Sequence, residues 1–172
     1  MRPSSAWLAS VSLVCLAFAA GCPKPAERST ANEERAVHEV VTAFQGALKA
    51  RDADRLWSLM ASDSRADAER AAKAVRELYA KAGALEKAEQ EKEMGLSGAE
   101  LATLTGAGFL KTRRFNGKYD EVPDSKIDEV AVQGDTAKVS YTEPDGDKEK
   151  LTLVREKNGW KVSVPMPKVT QP

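Results

Sequence analysis

Apolar residues are spaced differently in two parts of the chain, and the change falls just after Gly117. Before that point, apolar positions recur every three or four residues, which places them on one face of a helix. Beyond it, apolar and polar residues alternate, as is typical of strands with one buried face. Helices followed by an antiparallel sheet predict an α+β fold. The clearest helical stripe consists of Val37, Val41, Phe44 and Leu48.

Residues that can cap helices divide the helical part into segments. A first helix is predicted from a capping box at Thr30–Glu33 to about Arg51, and Asp52 can cap a short second helix. A third helix is predicted to begin at another box, Ser64–Asp67, and to stop at Gly83. Because the first helix has the strongest apolar stripe, we expect it to cover the sheet.

Shorter helical segments follow the third helix. Leu85–Met94 is very charged and ends before a glycine, which favours a helix with a thin apolar stripe. Ser97 and Thr105 are suitable caps for two further short helices. The basic run Lys111–Arg114 is predicted to form the last turn of a helix, where cations suit the helix dipole. Asn116–Gly117 is expected to break the helical pattern.

A meander of about four strands is predicted between Ser125 and Pro165, with turn residues between the strands. The turns are Gln133–Asp135, Pro144–Asp147 and Asn158–Gly159, and Asn-Gly between alternating segments is a strong hairpin signal. The alternation assigns one buried face to this sheet and one face in water. The residues predicted on the buried face are Val130, Val132, Ala137, Val139, Tyr141, Leu151, Leu153, Trp160, Val162 and Val164.

The N-terminal segment has the features of an export signal. Arg2 precedes an uncharged run, Ala6–Ala20, which is shorter than the roughly 20 residues that a membrane-spanning helix needs. The end of this run, Ala20-Gly21-Cys22, resembles the cleavage and lipid-attachment box of bacterial lipoproteins, with alanine at position 19 where leucine is usual. Ala17-Phe18-Ala19 fits ordinary signal peptidase instead, which would release a secreted soluble protein.

The lipoprotein interpretation divides the chain into a signal peptide (1–21), a flexible tether (22–29) and a single α+β domain (30–167). Removing residues 1–21 from the 172 leaves 151, with Cys22 as the one remaining cysteine because Cys15 leaves with the signal. An unpaired thiol in an exported protein needs an explanation, and attachment of acyl chains supplies one. We therefore predict a membrane-anchored protein of the cell envelope. Pro23, which is not an inner-membrane retention aspartate, favours the outer membrane.

The composition argues against several classes of function. The chain carries 26 basic and 26 acidic residues, so no basic surplus indicates a nucleic-acid partner. His38 is the only histidine, and no Cys/His spacing predicts a metal site. The sequence contains neither a glycine-rich phosphate loop nor a G-x-S-x-G motif. We therefore predict neither a metal nor a cofactor.

Several segments together resemble a known superfamily. Phe44 and Leu48 lead into the run Ala50–Leu59, the meander contains Val-x-Gly-Asp-x-Ala-x-Val at Val132–Val139, and it closes with Asn158–Val162. Over about residues 30–165 the chain resembles small lipoproteins with the cone-shaped fold of the nuclear transport factor 2 and ketosteroid isomerase superfamily. Cystatin-like folds share much of this outline. The resemblance implies a cone, inside which enzymes of the superfamily place acids, tyrosines or a histidine.

Candidate pocket residues come from strand parity and from the aromatic residues. Parity places Asp128, Glu149 and Arg155 on the apolar side of the sheet together with Tyr141, and all but Tyr141 lie near strand ends, where charges normally reach solvent. Trp57 and Trp160 could line a small-molecule pocket with Tyr141, although aromatic residues at such spacing are also typical of plain core. None of these residues forms a recognisable catalytic set, so we predict no catalytic residue.

Three functions are consistent with the sequence. The first is a lipid-anchored, non-catalytic domain that binds a peptide, another envelope protein or a small ligand at the mouth of the cone. The second is an exported enzyme of the ketosteroid isomerase type, which requires a deep pocket with a desolvated carboxylate or tyrosine. The third is an assembly role in which the charged segment Arg65–Met94 lies against a partner, which requires exposed apolar residues there.

Overall fold

The computed structural model describes residues 30–169, in which helices come first and a four-stranded sheet follows. The predicted signal peptide, the tether and Cys22 lie outside these residues. The helices are α1 (Thr30–Ala50), α2 (Ala53–Leu59), α3 (Ser62–Lys81), α4 (Ala84–Met94), α5 (Gly98–Ala102), α6 (Gly106–Phe109) and α7 (Arg113–Lys118), with a 3-10 turn at Val122–Asp124. The strands are β1 (Lys126–Gln133), β2 (Thr136–Thr142), β3 (Lys148–Glu156) and β4 (Gly159–Ser163).

The sheet is an antiparallel meander with strand order β1-β2-β3-β4, and α1 packs across one of its faces. We call this covered side the inner face. The apolar stripe on α1 packs on the inner face. The alternating residues of β2, β3 and β4 that point to this face are buried beneath the helix. Gly159 adopts φ 102°, a left-handed conformation that glycine reaches without strain at the β3–β4 turn. The predicted α+β class and the order of its elements are confirmed.

Several of the predicted helix caps are present. Arg55 donates its backbone N–H to Asp52 over 2.9 Å at the start of α2. Ser97 and Glu100 form a reciprocal capping box at α5, and Thr105 accepts from Gly108 at α6. These caps depend on residues three positions apart, so the local sequence was enough to predict them.

The start of α3 differs from the prediction. The helix begins at Ser62, two residues before the expected box, and its N-cap Ala61 has no side chain that can accept a hydrogen bond. Glu156, at the end of β3, replaces the missing cap because its carboxylate accepts from the Ser62 backbone N–H over 2.6 Å. Ser64 is instead buried, and its hydroxyl accepts from the backbone N–H of Val164.

Two other helical expectations were wrong. Thr112 caps the start of α7, so the basic run Lys111–Arg114 opens a helix instead of closing one, and Asn116–Gly117 lies inside it. Arg114 gains an ion pair with Glu93 of α4, which offsets the unfavourable position of a cation near a helix start. The break at Ala82–Gly83 between α3 and α4, by contrast, agrees with the predicted stop at Gly83.

Asp128 lies at an irregularity in β1. The register of β1 against β2 shifts between Ile127 and Glu129, which is the signature of a bulge. The extra residue turns Asp128 away from the parity that simple alternation predicts. Its side chain is exposed, and its carboxylate accepts from the Thr142 hydroxyl over 2.6 Å.

None of the helices in residues 30–169 is both long and apolar enough to cross a membrane.

Candidate functional site

Two cavities lie toward opposite ends of the inner face. In the strand register Tyr141 of β2 pairs with Glu149 of β3 near one end, whereas Arg155 of β3 pairs with Trp160 of β4 near the other. Each pair lines its own cavity. We name them the tyrosine cavity and the tryptophan cavity.

The tyrosine cavity has a volume of about 570 Å³, which is within the usual range for small-molecule sites of about 300–1,000 Å³. It lies where the C-terminal ends of β2 and β4 and the start of β3 meet α3 and α7. Its walls combine apolar with charged groups: Asp63, Ser64, Asp67, Lys118, Tyr119, Tyr141, Glu143, Glu149, Lys150, Leu151, Thr152, Ser163, Val164 and Pro165.

Tyr141 is the most distinctive group in this cavity. The residue is only 6 % exposed, yet within residues 30–169 its hydroxyl has no hydrogen-bond partner. Burial, together with the negative charges of Glu143 and Glu149, raises the pKa of Tyr141 to about 12. The side chain is therefore a neutral phenol at physiological pH, with one proton to donate and lone pairs to accept.

Tyr119 stands beside Tyr141 and is satisfied. It is 7 % exposed, and its hydroxyl donates to the backbone carbonyl of Pro165 just after β4. Burial raises its pKa, and the neighbouring Tyr141 adds to this effect. This hydrogen bond holds the end of α7 against the end of the sheet. Tyr119 therefore has a structural role in the cavity wall, whereas the Tyr141 hydroxyl is available to a ligand.

Glu143, in the wall of the cavity, belongs to a cluster of three carboxylates. Atoms of Glu121, Glu143 and Asp145 lie within 4.8 Å of one another. Burial, followed by the charges of Glu121 and Asp145, raises the pKa of Glu143. The charge of Asp145, followed by burial, raises that of Glu121. Both shifts indicate that the negative charges repel one another. The Oε2 atom of Glu121 is buried and has no hydrogen-bond partner within residues 30–169.

The cations that also line the cavity do not neutralise this cluster. Lys118 and Lys150 lie in its wall, but among residues 30–169 neither forms an ion pair with any of the acids. Asp67 is the exception among the acids because it pairs with Arg70 on its own helix. The cavity therefore has a surplus of negative charge. The cluster of Glu121, Glu143 and Asp145, of which Glu143 lines the cavity, is of the type that can ligate a hard cation, although such groups also occur without one.

The tryptophan cavity has a similar volume, about 540 Å³, but two half-buried charged residues in its wall, Glu33 and Arg155, are paired with each other. Glu33 of α1 forms an ion pair with Arg155 and accepts from the Trp160 indole N–H over 3.0 Å. The Arg155 guanidinium also stacks over the Trp160 ring at 4.3 Å from the centroid and lies 3.3 Å from the Asp135 carboxylate. Glu33 is therefore a tertiary anchor of α1.

The structure separates the four residues predicted for a pocket. Tyr141 lines the tyrosine cavity and Trp160 the tryptophan cavity, while Trp57 and Asp128 line neither. Trp57 is half-buried on α2 and packs against the core. His38 is exposed on α1.

Sequence reasoning missed Tyr119, Glu121 and Glu143 as members of the site. Tyr119 and Glu121 follow α7 in a stretch with no clear period, and Glu143 stands beside a segment that the sequence marks only as a turn. The density of acids at 143–149 was the one available signal.

Comparison of the chain with protein-family profiles, with curated proteins and with solved structures finds no match.

Proposed function

We propose that this chain is a lipid-anchored protein of the cell envelope whose α+β domain binds a ligand in the tyrosine cavity without catalysing a reaction. The observation that carries the binding part is Tyr141, a largely buried residue whose hydroxyl opens onto a cavity and has no partner among residues 30–169. A hydroxyl that no protein group engages, set in a wall of apolar and charged groups, can donate to or accept from a ligand atom in the cavity. The resemblance to lipoproteins of the nuclear transport factor 2 type supports the same proposal.

The anchor part rests on Ala20-Gly21-Cys22 and is tested on the full chain expressed in a bacterium. We expect the protein in the membrane fraction, with an intact mass above that of a chain starting at Cys22 by the mass of its acyl groups. Cys22→Ser should abolish both results. Cys15→Ser is the matched control, because that cysteine lies in the segment that is removed. An unmodified N-terminus at Ala20 would contradict the anchor.

The binding part is tested by screening a chemically diverse set of small-molecule fragments against the full chain in detergent. Nuclear magnetic resonance is used to detect binding. Bound fragments should shift the signals of Tyr141 and Leu151, which line the tyrosine cavity, and should leave those of Ala36 and Gly159 in the tryptophan cavity unchanged. The two cavities have similar volumes, so size alone predicts no such preference. Fragments that collect in the tryptophan cavity, or an absence of bound fragments, would contradict the proposal.

One observation favours the enzyme alternative of the ketosteroid isomerase type. Tyr141 is a desolvated hydroxyl close to Glu143, so a phenol that stabilises an oxyanion and a carboxylate that moves a proton would share one cavity. Binding remains the first choice because Glu143 is only half-buried and Glu149 is exposed. Conversion of a β,γ-unsaturated ketone to its conjugated isomer, lost in Glu143→Gln and kept in Glu89→Gln, would establish the enzyme.

An assembly role for α3 and α4 has less support. Leu85, at 75 % exposure, is the single exposed large apolar residue in the described part of the chain. A docking face for a partner requires a contiguous apolar patch, and one isolated leucine on a protein surface is ordinary.

A further inference from the structure

We infer that the tyrosine cavity, taken as the binding site of the proposed function, accepts a small organic cation that carries an ammonium group on an apolar body. Three features of the cavity support this ligand class: its charge, the unpartnered hydroxyl of Tyr141 and the nature of its walls. Each feature implies a different chemical group in the ligand.

The charge of the cavity requires a positive group. Glu143, Glu149 and Asp63 line it without an ion pair among residues 30–169, and Glu121 and Asp145 lie within 4.8 Å of Glu143. Lys118 and Lys150 also line the cavity, but they are outnumbered by its acids, and Glu121, Asp145 and Glu149 repel the charge of Glu143. A cation between Glu143 and the opening would lower that repulsion, whereas an anion would increase it. A carboxylate ligand is therefore disfavoured.

The unpartnered hydroxyl requires a hydrogen-bonding group close to the cation. Tyr141 can accept a hydrogen bond through its phenol oxygen, and the neighbouring Glu143 carboxylate is an acceptor only. An ammonium group has three N–H donors and no acceptor, so it can donate to both residues. A spherical metal ion lacks such donors, and a neutral phenol is a poorer ligand for it than carboxylate oxygen.

The walls require an apolar part in the same molecule. Leu151, Val164, Pro165 and the Tyr119 ring supply carbon surface beside the polar groups. A fully hydrated inorganic cation would leave this surface without a partner. An amine on an aromatic or aliphatic body covers it and gains hydrophobic contact.

The experiment compares three probes of one shape: 2-phenylethylamine, 2-phenylethanol and phenylacetate. The full chain in detergent is titrated with each probe and with calcium chloride, and signals from the tyrosine cavity are followed by nuclear magnetic resonance. The amine should bind about tenfold more tightly than the alcohol, because a charge-assisted contact replaces a neutral one. Phenylacetate should bind most weakly.

Variants assign the preference to named groups. Glu143→Gln should weaken the amine about fivefold or more while leaving the alcohol unchanged, because it removes the charge and keeps the shape. Tyr141→Phe should weaken the amine about threefold through the lost acceptor. Glu89→Gln, an exposed acid of α4, is the matched control and should change neither affinity. The melting temperature of each variant confirms that it is folded.

The possible outcomes separate the inference from the proposed function. Equal binding of the amine and the alcohol, or tighter binding of phenylacetate, would overturn the cation preference but keep the cavity as a binding site. Binding of Ca²⁺ at Glu121, Glu143 and Asp145 without binding of the amine would replace the inference by a metal site. If none of the four probes binds, the inference is overturned. The proposed function would then be decided by the fragment screen alone.

Discussion

The two ends of the inner face show opposite solutions to the same problem, which is how to place charged groups beside a buried sheet. In the tryptophan cavity, Arg155 has Glu33 and Asp135 as ion-pair partners and Trp160 beneath its guanidinium. In the tyrosine cavity, the acids around Glu143 face one another, and Tyr141 has no partner within residues 30–169. At the tryptophan end Arg155 has its partners within the folded chain, whereas at the tyrosine end Tyr141 lacks a hydrogen-bond partner and the acids around Glu143 lack ion-pair partners among residues 30–169.

This difference indicates which end serves structure and which serves binding. Groups that pair with one another contribute to the stability of the fold. Removing one partner destabilises the fold, because the other is left buried without a hydrogen bond or a counter-charge. Groups that remain unsatisfied cost stability, and such a cost persists most often at sites that act on something else. The comparison therefore predicts large stability effects at the tryptophan end and binding effects at the tyrosine end.

The largest effect should come from Arg155→Ala. The substitution removes the ion pair with Glu33, the contact with Asp135 and the stacking on Trp160, from a side chain only 19 % exposed. We expect a loss of about 2 kcal/mol in the free energy of unfolding, measured by urea denaturation. Arg35→Ala is the control, because its pair with Glu39 is exposed and should contribute less than about 0.5 kcal/mol. Equal losses would show that the Arg155 cluster is not an anchor.

The two tyrosines should respond differently to the loss of a hydroxyl. Tyr119→Phe leaves the Pro165 carbonyl without its donor, so we expect a loss of about 1.5 kcal/mol in the free energy of unfolding. Tyr141→Phe should leave that free energy within about 0.5 kcal/mol of the wild type, since its hydroxyl has no partner among residues 30–169 and is open to solvent. Chemical denaturation of both variants measures this contrast. A large loss in Tyr141→Phe would give its hydroxyl a structural role.

Glu156 at the end of β3 should stabilise α3 from a distance. Its carboxylate accepts from the Ser62 N–H, which holds the pKa of Glu156 below the usual glutamate range. Glu156→Ala should cost about 1 kcal/mol near neutral pH, comparable with the loss of a helix cap. A lowered pKa means that the stabilisation is complete above the unfolded-state pKa and is lost as pH falls through the folded-state pKa. The difference between wild type and variant should therefore vanish in acid.

Glu143→Gln should have the smallest effect and the opposite sign. The pKa of Glu143 is raised, so the folded state binds its proton more tightly than the unfolded state, and stability falls as pH rises through that range. The variant should gain no more than about 0.5 kcal/mol near neutral pH, because water screens a half-exposed charge. Thermal melts at several pH values measure the gain, which should disappear in acid. The charges that face this group belong to Glu121, Asp145, Asp147, Glu149, Lys118 and Lys150. A loss of stability near neutral pH would contradict the repulsion.

The sequence predicted the features that depend on near neighbours. The Asp52, Ser97 and Thr105 caps and the Asn158–Gly159 hairpin each involve residues within a few positions of one another. Periodicity likewise identified the buried faces of α1 and the strands, because burial recurs with the period of each element. The prediction from charge was wrong for Lys111–Arg114, since a basic run alone does not show which end of a helix it occupies. The local signal that was missed is Thr112, whose hydroxyl accepts from the Phe115 backbone N–H and caps the start of α7.

The candidate site was predicted only in part. Tyr141 and Trp160 were expected to line a pocket, and both line cavities, but strand parity says which face a residue occupies and not which end of it. The bulge in β1 moved Asp128 out of phase with its neighbours, and a one-residue irregularity leaves no mark in a pattern of period two.

The sequence by itself determined the α+β class, the order of the elements and the faces that they bury, because those properties follow from local spacing and side-chain chemistry. Only the tertiary structure decided that Glu156 caps a helix 94 positions away, that Glu33 anchors α1 to β3 and β4, and that Tyr119 closes a wall beside Tyr141. These contacts join residues far apart in the chain. Their partners are selected by how the elements pack, and the spacing of residues along one element does not contain that information.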